Sequence, residues 1–254
     1  MYTNFAEVYD ELMAGVDYDA WAGFYRDIMT RWGIPGGRVA ECACGTGGLT
    51  IPLHRLGYAV TGVDISQEML WIAAQKARQA GISAMFVRQD MRKLKLHRPV
   101  DAVLATCDGV NYLTGERDLS EFLRSAYNTL NPGGGLFFDV STPRKLEKTL
   151  GNRTLCEDTP HVTYMWQNRW QARSRCVDMH LCIFVREDDG RYRRMDEEQR
   201  QRAWSMDELA QALRLAGFTD TAFYGNSRMA PPKAEEERWH VAARKPFGQE
   251  ETIG

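Results

Sequence analysis

Two hydrophobic rhythms divide the chain. Over residues 38–140, short β-type runs alternate with stretches in which apolar residues return every three or four positions. Residues 38–42 lead into a glycine turn, and 49–56 suit a helix that tolerates Pro52 in its first turn and closes near Gly57. A strand at 59–63 precedes a helix capped by Ser66 and stopped by Gly81, and a further strand follows at 85–87. Val100–Ala105 is almost wholly apolar, as a strand buried on both faces reads. Leu119, Phe122, Leu123, Ala126 and Leu130 make one helical stripe, which Asn131-Pro132-Gly133 ends ahead of a strand at 136–140. Units alternating in this way predict an α/β fold with a doubly wound parallel sheet covered by helices.

The flanks read differently. Trp21, Tyr25, Ile28 and Trp32 stand at helical spacing behind Asp19, which is placed to cap an N-terminal helix. Beyond Pro143 the period drops to two: Val177, Met179, Leu181, Ile183 and Val185 alternate with more polar neighbours, and Asp188-Asp189-Gly190 supplies a turn. Together with 164–171 and 191–194 this predicts a three-stranded antiparallel meander inserted as a lid. Ser205 and Glu208 form a capping box that opens a helix ending at Gly217, and strands at 221–224 and 239–243 complete the main sheet. The expected divisions are a cover and cofactor-binding core over 1–143, a lid over 144–203, a return to the core over 204–245 and a frayed tail over 246–254.

Composition narrows the function. The 254 residues are 44% hydrophobic, enough for one large core with an elaboration. A formal net charge of -2 offers no global field to nucleic acid or to an anionic membrane. Apolar runs fall short of the ~20 residues that cross a bilayer. The N-terminus lacks the basic and then apolar stretch of a signal peptide, so the six cysteines are expected as reduced thiols of a cytoplasmic protein. Cys42 and Cys44 have C-x-C spacing, and no metal site is expected. Arginines 169, 173, 175, 186, 191, 193, 194, 200 and 202 crowd the lid among many acidic residues. They fit either solvated strands or a site for an anionic acceptor.

The chemistry concentrates at three strand ends. The run from Val39 to Gly48 carries a strand into a turn where Gly45 and Gly47 permit close approach of a ligand. Thr50 stands where a dinucleotide fold would carry its third glycine, which points away from nicotinamide and flavin. Asp64 ends the next strand, where a carboxylate suits two vicinal ribose hydroxyls. Asp90 and Met91 follow the third strand, where a carboxylate accepts from an adenine amino group and a thioether lies along the ring. Three consecutive strand ends define one crevice.

In these residues the chain resembles the class I S-adenosylmethionine-dependent methyltransferases. Glu41, Gly45 and Gly47 match an E/D-x-x-x-G-x-G motif, Asp64 and Asp90 fit the ribose and adenine positions, and residues 131–135 resemble an N/K-P-G-G turn. Phe5 to Met13 looks like the F-A-x-x-Y-D-x-L-M opening of a small-molecule subgroup, and Cys107 to Leu113 is similar to its C-x-D-S-x-N-Y-L segment. Departures are Gly109 in place of Ser and Gln199 in place of a His. The resemblance implies a seven-stranded Rossmann-like methyltransferase sheet with a helical cover and a β lid. It implies S-adenosylmethionine held by Tyr18, Glu41, Ala43, Cys44, Gly45, Thr46, Gly47, Asp64, Ile65, Met69, Asp90, Met91 and Cys107. The expected reaction is in-line transfer of the methyl group to a small N, O or S acceptor, with His180, Tyr9 and Tyr112 as candidates at the acceptor. A methyltransferase of RNA or protein and a non-catalytic cofactor-binding module are the alternatives. Exposed lid edges would allow a homodimer.

Overall fold

The computed structural model describes residues 5–226 and 228–248. Two helices come first, α1 (Phe5–Leu12) and α2 (Tyr18–Arg31). The cap of α2 is Asp17, whose Oδ1 accepts from the Ala20 amide at 2.9 Å; the helix begins one residue ahead of the expected Asp19, which lies in its first turn. The alternating region follows as β1 (Gly37–Cys42), α3 (Thr50–Arg55), β2 (Tyr58–Asp64), α4 (Gln67–Gln79), β3 (Met85–Arg88), β4 (Val100–Ala105), α5 (Glu116–Thr129) and β5 (Leu130–Ser141). Ser66 caps α4 by accepting from Met69 N at 3.2 Å.

β5 starts six residues before the expected strand. Leu130 pairs with Val100 and Gly135 with Ala102, so the Asn-Pro-Gly-Gly segment is a bulge within the strand. Gly133 adopts φ +77°, and its N–H reaches the Lys245 and Pro246 carbonyls, both at 3.1 Å. The first residues of the expected tail are thus bound to the sheet, and 249–254 lie outside the described residues.

The lid is a four-stranded antiparallel sheet of β6 (Thr154–Asp158), β7 (Val162–Gln171), β8 (Cys176–Arg186) and β9 (Tyr192–Arg202). β6 was not foreseen. It is an edge strand with mostly exposed residues, so it lacks the alternation that marks its neighbours. β9 runs on through the acidic stretch to Arg202 instead of ending near 194. A π-helical segment, Lys145–Leu150, joins β5 to this sheet. The chain returns through α6 (Met206–Leu215), opened by the capping box of Ser205 and Glu208, to β10 (Thr219–Tyr224) and β11 (Arg238–Arg244).

The main sheet has the order β10-β11-β5-β4-β1-β2-β3, with β11 antiparallel to its neighbours. Helices cover both faces. One core packs Phe122 and Leu123 of α5 and Leu209 and Leu213 of α6 on the sheet, and the other packs Tyr25, Ile28 and Met29 of α2 with Leu53 of α3. A third cluster joins Phe5, Ala6 and Val8 of α1 to Met69 of α4 and to Val162, Ile183, Val185 and Met195 of the lid. Helix α1 is therefore wedged between lid and core. Strand order reverses between β1 and β4, which opens a crevice at their carboxyl ends.

Candidate active site

A cleft of about 350 Å³ fills that crevice. The turn after β1 enters the left-handed region at Ala43 (φ 53°), Gly45 (φ 53°) and Gly47 (φ 75°). A side chain at 45 would stand in strained backbone at the cleft wall, so glycine keeps the wall open. The Gly45 amide donates to Asp64 Oδ2 at 2.8 Å and the Ser66 amide to Oδ1 at 2.9 Å. Burial raises the Asp64 carboxyl above its usual range, and these backbone donors offset only part of that rise. Both oxygens are aimed, and each keeps a lone pair.

Glu41 lies behind the turn, 2% exposed, and accepts from Thr50 Oγ1 at 2.5 Å. Burial pushes its carboxyl up to about 8. It faces a small void of about 20 Å³ that Tyr9, Tyr18, Ala43, Cys44 and Thr46 also line. At the far end of the cleft, Arg92 donates to both oxygens of Asp90 at 2.6–3.0 Å and to Asp118 Oδ1 at 2.7 Å. Those guanidinium bonds hold the Asp90 carboxyl below its usual range.

The floor beyond β4 is a second left-handed turn, Cys107 (φ 55°) and Asp108 (φ 64°). Its amides donate to Asp139 of β5, Cys107 N to Oδ1 at 2.7 Å and Asp108 N to Oδ2 at 3.1 Å. Arg238 of β11 bonds both Asp108 and Asp139, and Tyr25 joins Asp139 Oδ1 at 3.4 Å to His240 Nδ1 at 3.0 Å. Burial raises Asp139 to about 6 in spite of Arg238, and burial lowers His240 to about 3. Burial also opposes ionisation of Asp108, but Arg238 and Lys145 outweigh it and hold that carboxyl below its usual range.

A second space of about 180 Å³ lies between this floor and the lid. Tyr9, Cys107, Tyr112 and Gln199 line it and the cleft alike, so they form a throat between the two. Tyr112 Oη donates to Gln199 Oε1 at 2.8 Å across the throat.

The methyltransferase-domain family matches residues 39–134, which hold the glycine turn, Asp64, Asp90 and the Cys107–Asp108 turn. A relative from Geobacillus sp. (strain WCH70), bearing the name of a methyltransferase, is 34% identical over 96% of this chain and 99% of its own length. YqeM of Bacillus subtilis (strain 168), likewise named a methyltransferase, is 33% identical over 96% of this chain and 97% of its own. The crystal structure of an S-adenosylmethionine-dependent methyltransferase from Clostridium acetobutylicum ATCC 824 superposes with a TM-score of 0.87 at 30% identity, covering 97% of this chain and 99% of that one. The chain belongs to the class I S-adenosylmethionine-dependent methyltransferases.

In this methyltransferase the expected cofactor residues fall into two groups. Ala43, Gly45, Asp64, Ile65, Met69, Asp90, Met91 and Cys107 line the cleft. Tyr18, Glu41, Cys44 and Thr46 instead surround the small void behind the turn. Gly47 lies against α4, where an added Cβ would come within 3.2 Å of Ala73 Cβ. Thr46 Oγ1 donates to Asp10 Oδ1 at 2.5 Å, tying the turn to α1.

Of the acceptor candidates, Tyr9 and Tyr112 stand in the throat and His180 does not. His180 lies on the outer face of β8, its side chain 40% exposed and its Nε2 3.2 Å from Asp196 Oδ1. Alternation is the reason: Met179 and Leu181 line the inner space, so the residue between them points out. Several lid arginines pair with acidic side chains of the same sheet, Arg194 with Asp196 at 2.8 Å, Arg193 with Glu187 at 2.8 Å and Arg200 with Asp178 at 3.3 Å. Residues that the sequence reading passed over include Arg92, Asp118, Asp139, Lys145 and Arg238. The signal for Asp139 was a carboxylate inside an apolar strand run; Lys145 and Arg238 carried none.

Proposed function

We propose that the chain transfers the methyl group of S-adenosylmethionine to a small-molecule nucleophile, N, O or S, seated in the 180 Å³ space under the lid. The observation that carries this reading is the throat. It joins the cleft to a space smaller than the 300–1,000 Å³ typical of drug-sized ligands. Arg175, Arg191, Arg193, Arg194, Arg200 and Arg202 of the lid are ion-paired with acidic side chains, which reduces the positive charge the lid offers a polyanion.

The residues fit the cofactor. Asp64, Asp90, Ile65 and Met91 line the cleft: Asp64 would offer its remaining lone pairs to the ribose hydroxyls, the ionised Asp90 would accept from the adenine amino group, and Ile65 and Met91 would supply apolar surface to the ring. S-adenosylmethionine supplies an electrophilic methyl carbon, whose bond to sulfur returns its electrons to sulfur as the acceptor's lone pair bonds the carbon. The chain's own contribution is alignment, and orientation of this kind supplies roughly 7–11 kcal/mol. Burial raises the Tyr9 phenol and the Cys107 thiol far above neutrality. Both are thus held protonated at neutral pH, which leaves the Tyr9 hydroxyl as a hydrogen-bond donor in the throat.

Asp64→Ala tests the cofactor half of the reading. The affinity for S-adenosylhomocysteine, measured by calorimetry, is expected to fall at least about 100-fold; unchanged affinity removes Asp64 from the ribose role. Release of S-adenosylhomocysteine in a screen of small amines, phenols and thiols tests the other half. Silence there, together with turnover on transfer RNA or a protein, would replace the acceptor class.

A further inference from the structure

The acceptor space contains an imbalance of hydrogen-bonding groups. Two charged residues line it, Asp108 and Lys145. Asp108 Oδ1 is filled: it accepts from Ser141 Oγ at 2.9 Å and from Arg238, which it shares with Asp139. Lys145 is held more loosely: its Nζ forms an ion pair with Asp108 Oδ2 at 3.8 Å, beyond hydrogen-bond reach, and its side chain is 23% exposed. Its three ammonium donors thus have no hydrogen-bond acceptor among the described residues. Gln201 lines the same space, is 5% exposed, and its amide has no hydrogen-bond partner among the described residues. Gln199 spends its Oε1 on Tyr112 and keeps its NH₂.

The backbone is shaped to put Lys145 there. The Gly151 amide donates to Leu146 O at 3.0 Å, an i→i+5 bond that widens the turn. With that wider turn, Lys145 and Leu150 both line the space, five residues apart. Gly151 closes the segment at φ +36°, and a Cβ there would meet Glu147 O at 2.3 Å. π-turns of this sort recur at functional sites.

We infer that the methyl acceptor is a small carboxylate, its anionic group seated on Lys145 and the amides of Gln199 and Gln201. A carboxylate presents about four lone-pair sites and no donor, the complement of what these three side chains leave unfilled. A cationic amine is the poorer match, because the one carboxylate that lines the space already bonds Ser141 and Arg238 and has the Lys145 ammonium 3.8 Å away, so an amine would add a third positive group beside it. This inference rests on the small-molecule reading of the site and narrows it.

The test is calorimetric titration of the full chain, saturated with S-adenosylhomocysteine, using benzoate, benzamide and benzylamine. A single ring suits the walls of Trp166, Tyr164 and Leu150. Benzoate is expected to bind at least tenfold more tightly than the other two. Lys145→Met erases that preference, Lys145→Arg keeps it, and neither changes the affinity for S-adenosylhomocysteine. Should the Met variant fail to fold, Gln201→Leu takes its place with a loss of threefold or more for benzoate alone. Equal binding of the three probes, tighter benzylamine, or a preference that survives Lys145→Met overturns the carboxylate assignment and leaves the small-molecule reading standing. Failure of all three probes to bind the loaded protein overturns both.

Discussion

On the parallel-sheet side, Asp108, Asp139 and Arg238 are sunk in the protein and each is held by specific partners. On the lid sheet, Arg191, Arg194 and Asp196 pair at the surface with side chains 85%, 59% and 41% exposed. The two halves meet across one throat, but their charges do different jobs. Exposed pairs contribute about 0–1 kcal/mol and are replaceable. A buried charge whose partner is removed costs several kcal/mol, so the cluster under Cys107 and Asp108 holds the floor in a single arrangement. Geometry near the reacting atoms is fixed by the half in which no charge can be spared.

The strongest way to break this contrast is Arg238→Met. It leaves Asp108 and Asp139 buried without their counter-charge, and urea unfolding at neutral pH is expected to show a loss of about 3–5 kcal/mol. A loss below about 1 kcal/mol would place the cluster with the replaceable surface pairs.

Glu41→Gln sharpens it through pH. The folded pKa of about 8 lies above that of an unfolded glutamate, so the native state keeps a proton that the unfolded chain gives up between about 4.5 and 8. Stability contributed by this group is full below that window and is lost as pH rises through it. The Gln variant lacks the loss, so its stability relative to the parent should grow by about 3–4 kcal/mol from pH 5 to pH 8 in urea melts. A difference independent of pH would mean that Glu41 is ionised in the folded protein. Asp139, raised to about 6, titrates in both proteins and drops out of the comparison.

The smallest effect belongs to the lid. His180→Ala should move stability by less than about 0.5 kcal/mol and leave turnover unchanged, because it removes an exposed pair with Asp196. A drop in turnover of tenfold or more would bring His180 back to the acceptor.

Much of the fold could be read from periodicity. The β4 run, the Ser66 cap and the Ser205–Glu208 capping box are local signals, and each stands where the pattern predicted it. The cleft was legible for the same reason, since three strand ends in succession converge by topology. Alternation along β8 identified two faces, but not which one looks inward; that depends on Phe5 and Val8 of α1 covering the apolar side. Lys145 sits in a π-turn, which has neither the 3.6 nor the 2.0 repeat, and Arg238 reaches Asp108 across 130 residues. Contacts at such separation leave no mark in a local pattern.

Helix α1 is eight residues long, about 12 Å, and its Phe5 and Tyr9 line both the cleft and the acceptor space. One short element is thus a wall shared by two rooms. Whatever one occupant does to tighten or loosen that wall is felt by the other, and linkage makes the exchange symmetrical: the factor by which the first ligand changes the affinity of the second is the factor it receives back.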